Sequence, residues 1–143
     1  MVRPSFRGAV PDGLLYDTAS DTWLRREGGD VVIGATAFGV FLAGEVIAFT
    51  GKPKGAEVER TRGLGTVECA KTVLAVHAPI SFVLMVAIEA AEERPAVINR
   101  DPYIAGWMVR GRPTAWNAEC EQLTDAAGYR AHVLRIEPEA EFL

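Results

Sequence analysis

Two Val/Thr-rich runs, Gly63-Leu64-Gly65-Thr66-Val67-Glu68-Cys69 and Val73-Leu74-Ala75-Val76-His77, flank Ala70-Lys71-Thr72 almost symmetrically. β-Branched and apolar residues suit a pleated, half-buried surface. Parallel strands need a crossover of a dozen residues or more, so runs this close together must pair antiparallel as a hairpin. Lys71 then falls at or beside the tip, with its ammonium in water. The chain has twelve arginines and only three lysines, Lys52, Lys54 and Lys71, so a lysine at this turn is not a product of composition.

The same punctuation recurs along the chain. Thr22-Trp23-Leu24-Arg25-Arg26 runs through Glu27-Gly28-Gly29-Asp30, a turn signal, into Val31-Val32-Ile33-Gly34. Thr36 as a cap and Gly44 as a stop bracket a two-turn helix. Glu45 to Thr50 alternates as a half-buried strand, and Gly51-Lys52-Pro53-Lys54-Gly55 breaks it. After the polar stretch Glu57 to Arg62 and the Lys71 hairpin, Ala78-Pro79 ends a strand and Ile80 to Ile88 forms another. Glu89 to Arg94 makes one helical turn that Pro95 stops. Asp101-Pro102-Tyr103 is a loop and Trp107 to Arg110 a last short strand. Trp116, Cys120, Leu123 and Ala127 recur at intervals of three and four, the spacing of one helix face, with Gly128 near its end. Paired strands every eight to twelve residues followed by a helix predict a mainly β sandwich or barrel with a C-terminal helix. Residues 1–13, rich in Pro, Gly and Arg, are expected as a loose or edge-lying N-terminal arm, and residues 14–143 as a single domain.

With 143 residues the chain can bury a core without metal or disulfide. A net charge of −4 gives no footprint for phosphate neutralisation, which excludes nucleic acid. The longest apolar stretch, Phe82 to Ile88, is too short to span a bilayer, and Arg3, Pro4 and Arg7 stand where an export signal needs apolar residues. No membrane partner and a cytoplasmic location are expected, with Cys69 and Cys120 as free thiols. His77 and His132 lack acidic or thiol neighbours at ligand spacing, so no metal is expected. Glu92-Glu93 and Glu137 to Glu141 are expected as solvated faces. No catalytic triad or phosphate loop is visible, and the chain is not expected to be an enzyme in its own right.

Glu68-Cys69-Ala70-Lys71-Thr72 resembles the Glu-Ser-Val-Lys-Ala turn of the glycine cleavage system H proteins and their lipoyl-carrier relatives. Asn99-Arg100-Asp101-Pro102-Tyr103-Ile104-Ala105-Gly106-Trp107 is similar to that family's Asn-Glu-Asp-Pro-Tyr-Gly-Glu-Gly-Trp. Ala78-Pro79-Ile80-Ser81 matches its Ser-Pro-Val-Ser. The likeness covers roughly residues 15–135 in the same order. It implies a lipoyl-domain-like barrel-sandwich hybrid of antiparallel strands with short helices. It also implies covalent lipoic acid on Lys71, with Glu68 and Ala70 read by the modifying enzyme. The cofactor would carry the chemistry and the protein its position. Implied partners are a lipoate ligase or lipoyl transferase, dihydrolipoamide dehydrogenase, and lipoamide-using enzymes.

Two departures bear on the pathway. The family usually carries His-Glu ahead of the first Trp, where this chain has Asp21-Thr22, and its glutamate is thought to help hold a charged aminomethyl group. Cys69 replaces a serine beside the modified lysine, where a thiol would meet the dithiolane; the plainer reading is a small semi-buried residue. These features favour a lipoate-binding protein of heterodisulfide-reductase-like sulfur oxidation. The alternatives are a glycine cleavage H protein proper and a non-lipoylated interaction module of the same fold.

Overall fold

The computed structural model describes residues 4–143. Among the described residues the strands are β1 (Arg7–Gly8), β2 (Leu15–Asp17), β3 (Thr22–Glu27), β4 (Asp30–Ala35), β5 (Val46–Gly51), β6 (Glu57–Val58), β7 (Gly63–Cys69), β8 (Thr72–His77), β9 (Phe82–Ala87), β10 (Val109–Pro113) and β11 (Glu141–Phe142). The helices are α1 (Ala37–Ala43), α2 (Glu89–Glu93), α3 (Ala96–Arg100), α4 (Trp116–Glu119) and α5 (Ala126–Ile136). A six-stranded sheet runs in the order β2-β3-β4-β10-β9-β6 and a three-stranded sheet in the order β5-β7-β8, both antiparallel. This is the mainly β architecture the sequence predicts.

Between the sheets lies a core of Leu24, Val31, Ile33, Phe49, Leu64, Val67, Ile80, Phe82, Leu84, Ile98 and Met108 among others. From Gly65 on, β7 alternates as one buried face requires, burying Gly65, Val67 and Cys69 and exposing Thr66 and Glu68, while Leu64 is buried at the register shift between Gly63 and Gly65. A second cluster gathers Tyr16, Trp23, Val32, Phe38, Tyr103, Tyr129 and Val133 under α1 and α5. Phe6 and Val10, in the segment expected as an arm, are 2% and 3% exposed in this cluster. The same segment supplies β1, which pairs parallel with β11. It lies along the edge, well packed.

Several expectations shift in detail. Thr36 caps α1 as anticipated, its Oγ1 accepting from Gly39 N at 3.0 Å. Pro95 stops α2 as expected and also stands at the N-cap of α3, an element not assigned from the sequence; a missing N–H costs nothing at a helix start. The strand expected at 107–110 lies at Val109–Pro113. The single apolar helix face through Trp116, Cys120, Leu123 and Ala127 does not exist. α4 tightens into a 3-10 turn at Cys120–Gln122, and Thr124 then exchanges two 2.8 Å backbone bonds with Tyr16. Asp125 caps a new helix, α5, through Gly128 N at 2.9 Å, which puts Gly128 near the start of a helix and not its end. Cys120 is half-buried.

Candidate functional site

β7 and β8 join through the two-residue turn Ala70-Lys71, with Cys69 paired to Thr72. Lys71 is exposed, and among the described residues it has no ion pair or hydrogen bond. A two-residue connection leaves the backbone little slack, so mobility here belongs to the side chain. Glu68 lies on the outer face opposite Val73, and both are exposed, as is Ala70. Ile47 and Val73, 51% and 64% exposed, give the hairpin end an apolar surface.

Cys69 points the other way. It is 4% exposed, paired with Val46 on β5, and burial pushes its thiol pKa up. Both effects lower the thiolate fraction and access that disulfide exchange requires, so the structure gives Cys69 the place of a small core residue.

The hairpin is braced from below. Gly65 lets β5 approach closely: a Cβ there would stand 2.5 Å from the Thr50 carbonyl oxygen. Asn99 holds the start of β5, accepting from Val46 N at 2.9 Å and donating to the Gly44 carbonyl at 3.0 Å. The segment Asn99–Trp107 is therefore scaffold. Pro102 O accepts from Trp23 Nε1 at 3.0 Å, Asp101 O accepts from Gly106 N at 2.7 Å, and Tyr103 Oη donates to Ala9 O at 2.7 Å and accepts from Ala37 N at 2.9 Å. Burial pushes the Tyr103 hydroxyl up to about 12, keeping it a donor.

Beside β8 runs a cleft of about 110 Å3 that the sequence did not reveal. Its walls are apolar, including Val40, Val46, Val67, Leu74, Val76 and Met108; Ser20, Asp21 and Thr22 add polar groups. Thr22 is 1% exposed and its hydroxyl lies 2.7 Å from Ser20 Oγ. Asp21 adopts φ 53, a left-handed conformation that Asp tolerates better than most residues. Its Oδ1 accepts from Tyr129 Oη at 2.8 Å and lies 3.8 Å from His132 Nε2, and Tyr129 Oη is 2.7 Å from Thr36 Oγ1. Desolvation raises the Asp21 pKa; the Tyr129 bond and His132 oppose that and Asp17 adds to it.

His77 closes β8, and among the described residues no group of three or more His, Cys, Asp or Glu is placed to hold a metal. Among those residues, too, no helix is long and apolar enough to cross a membrane. Two glutamates expected as merely solvated take backbone bonds, Glu92 from Gly51 N and Glu137 from Phe6 N.

An exposed lysine on a two-residue hairpin turn of an antiparallel, mainly β fold is the arrangement that the resemblance to lipoyl carriers anticipates. The glycine cleavage H-protein family model matches residues 14–136. A glycine cleavage system H protein of Anaeromyxobacter sp. (strain K) is 35% identical over 124 residues, 87% of this chain and 95% of the relative. A probable glycine cleavage system H protein 2 of Sulfolobus acidocaldarius is 35% identical over 104 residues, covering 71% of this chain and 70% of the relative. The crystal structure of a glycine cleavage system H protein from Mycobacterium marinum superposes with a TM-score of 0.75 at 31% identity, covering 85% of this chain and 96% of the other. The chain belongs to the glycine cleavage H-protein family.

Proposed function

We propose that the chain is the lipoyl carrier of a glycine cleavage system, acylated on Lys71 and passing a bound fragment between the glycine cleavage enzymes. The observation that carries this reading is the exposed Lys71 amine, without a partner among the described residues, on a two-residue turn that opens β8, the strand whose Leu74, Ala75 and Val76 line an apolar cleft. The residues present fit the cofactor: an accessible primary amine to bear it, and aliphatic walls along β8 to receive a hydrocarbon stem.

In the modification step the neutral Nζ of Lys71 attacks the acyl carbon of an activated lipoyl ester of the acyl-phosphate class. The C–N bond forms as the bond to the phosphate oxygen breaks; that oxygen leaves with the electron pair, and the amine loses a proton to solvent. A lipoate ligase or lipoyl transferase would catalyse this, reading Glu68 and Ala70 on the exposed turn. Once bound, the lipoyl group supplies a disulfide that opens to a dithiol and holds the transferred fragment, with dihydrolipoamide dehydrogenase restoring the disulfide. Lys71 anchors the tether, and β7 and β8 fix the point from which it sweeps. Tethering of this kind raises the local concentration to roughly the millimolar range when the span suits the sites.

The sulfur-oxidation reading rests on Thr22 and Cys69. Cys69 is buried, and Asp21 supplies a carboxylate at the cleft next to Thr22, so glycine cleavage is the better-supported role. Expressed with active lipoylation enzymes, the protein is expected to gain one lipoyl mass, and Lys71→Arg to gain none while keeping its fold. The loaded carrier is expected to support glycine–bicarbonate exchange with the decarboxylating enzyme. A chain that stays bare under these conditions refutes the carrier reading and leaves the interaction module; a lipoylated chain without exchange refutes the glycine cleavage role.

A further inference from the structure

The N-terminal segment carries a strand with one side open. In the parallel pair of β1 and β11, Glu141 N donates to Phe6 O at 2.9 Å and Leu143 N to Gly8 O at 3.0 Å. A parallel ladder bonds alternate residues of a strand, so Arg7, between those two acceptors, turns its own N–H and C=O away from β11. Among the described residues nothing bonds to either group. An open strand edge of this sort is a template for a hydrogen-bonding partner. Ala9, the next residue of the same orientation, gives its carbonyl to Tyr103 Oη at 2.7 Å. The open side of β1 is therefore the side on which Tyr103 stands.

A groove of about 520 Å3 lies there. Phe6, Val40, Phe41 and Tyr103 give it an apolar floor, and Arg7 and Arg100 stand at its rim. Arg7 meets Glu141 only at 3.6 Å, with the two side chains 70% and 72% exposed. Arg100 is exposed, and among the described residues its side chain has no ion pair or hydrogen bond. Asp101, the acid among the lining side chains, already accepts from Ala105 N at 3.1 Å. The volume suits a few side chains, the free cations favour carboxylates, and the edge of β1 offers one donor and one acceptor in strand geometry. Together these select an extended peptide with acidic and apolar side chains, bound by strand addition: main-chain bonds hold such a peptide and side-chain pockets discriminate it.

We propose that this groove docks an extended acidic and apolar segment of a partner protein, added to the open edge of β1. Its place in the fold gives the docking a use. Gly44 and Asn99 also line the groove, and Asn99 Oδ1 accepts from Val46 N, the residue paired with Cys69. Two residues of chain span about 7 Å at most and paired strands lie about 4.8 Å apart, so Gly44 stands within roughly 12 Å of Cys69. A partner held in the groove is kept beside the hairpin without touching Lys71, which is not among the groove residues. The docking needs no acyl group, so it goes beyond the carrier reading and stands or falls apart from it.

The test titrates the uniformly 15N-labelled, unacylated chain with a blocked six-residue peptide of alternating aspartate and leucine. Saturable amide shifts are expected at Arg7, Phe41, Arg100 and Tyr103, with Lys71 and Val73 unmoved. Peptides of alternating lysine and leucine, or aspartate and serine, are expected to bind several-fold more weakly. Arg100→Gln should weaken binding of the aspartate–leucine peptide about two- to fivefold, the scale of one exposed ion pair, and Arg7→Gln should do the same. Arg7→Pro also removes the outward N–H, from an edge position where proline is tolerated, and should lose a further three- to tenfold, the scale of one net hydrogen bond. No saturable shift, shifts centred elsewhere, equal binding of the lysine peptide, or unchanged affinity in both glutamine variants would each overturn the proposal; equal affinities of Arg7→Gln and Arg7→Pro would overturn strand addition. The control peptides and the glutamine variants decide the matter even if the proline variant fails to fold.

Discussion

Gly65→Ala and Gly63→Ala, two positions apart on β7, are expected to act in opposite directions. Neither glycine has a positive φ, so alanine strains neither backbone directly, and the common effect is a stiffer unfolded chain, stabilising by about 0.4–1 kcal/mol. What differs is the space. A methyl at position 63 meets the Ala75 Cβ at 3.8 Å and the Gly65 carbonyl oxygen at 3.9 Å, both ordinary contacts. At position 65 it would stand 2.5 Å from Thr50 O, 3.0 Å from Gly51 Cα and 3.2 Å from Phe49 Cε1. The first two are backbone, so relief requires β5 to move off β7 rather than a side chain to rotate. Overpacking of this kind costs about 1–3 kcal/mol; less the entropic gain, Gly65→Ala should lose about 1–2 kcal/mol. For a chain of this length that is roughly 3–8 °C in Tm, whereas Gly63→Ala should be neutral or slightly stabilised. Calorimetry with parallel urea titrations checks both. Equal midpoints for the two variants, or a Gly65→Ala protein as stable as the unsubstituted one, would refute the claim that the hairpin is seated by this close approach.

Two further perturbations probe the ground beneath the cleft. Trp23→Phe removes the Nε1 donor to Pro102 O and opens a void in a fully buried site, for an expected loss of about 2–4 kcal/mol by urea denaturation. Because a Cβ at Gly34 would lie 2.8 Å from the Trp23 ring, Gly34→Ala should be far less harmful in the Trp23→Phe background than alone, a coupling that a double-mutant cycle measures. Asp21 has a pKa raised above its ordinary 3.8, mainly by desolvation. Its contribution to stability is therefore full below the unfolded value and is lost as pH rises through the folded one. Asp21→Asn keeps an acceptor for Tyr129 and suits the left-handed backbone, so it should match or exceed the unsubstituted protein at pH 7, with the advantage shrinking below about pH 4.

The Lys71 hairpin was legible because its two arms carry the same β-forming residues at equal distance from the turn, and α1 because Thr36 and Gly44 mark both of its ends. The C-terminal region was misread because intervals of three and four between Trp116 and Ala127 satisfy a helical pattern without showing that the backbone stays helical. Asp125, three residues ahead of Gly128, was the overlooked cap signal. β1, β6 and β11 have two residues each, too few for any periodicity. The cleft could not be read at all, because β3, β4, α1, β8 and α3 each lend it only a few residues; it exists only after the sheets have packed. The Asn99–Trp107 stretch was recognisable as a motif, but its sequence does not say that its polar groups serve other backbones rather than a ligand.

The inward turn of Cys69 has a consequence for a swinging dithiolane. A sulfhydryl two positions from the anchor, were it on the outer face, would meet the ring at roughly millimolar effective concentration and trap the tether as a closed loop on its own root. Set into the core against Val46 by the ordinary alternation of β7, the sulfur would stand out of reach of the dithiolane that the proposed function places on Lys71.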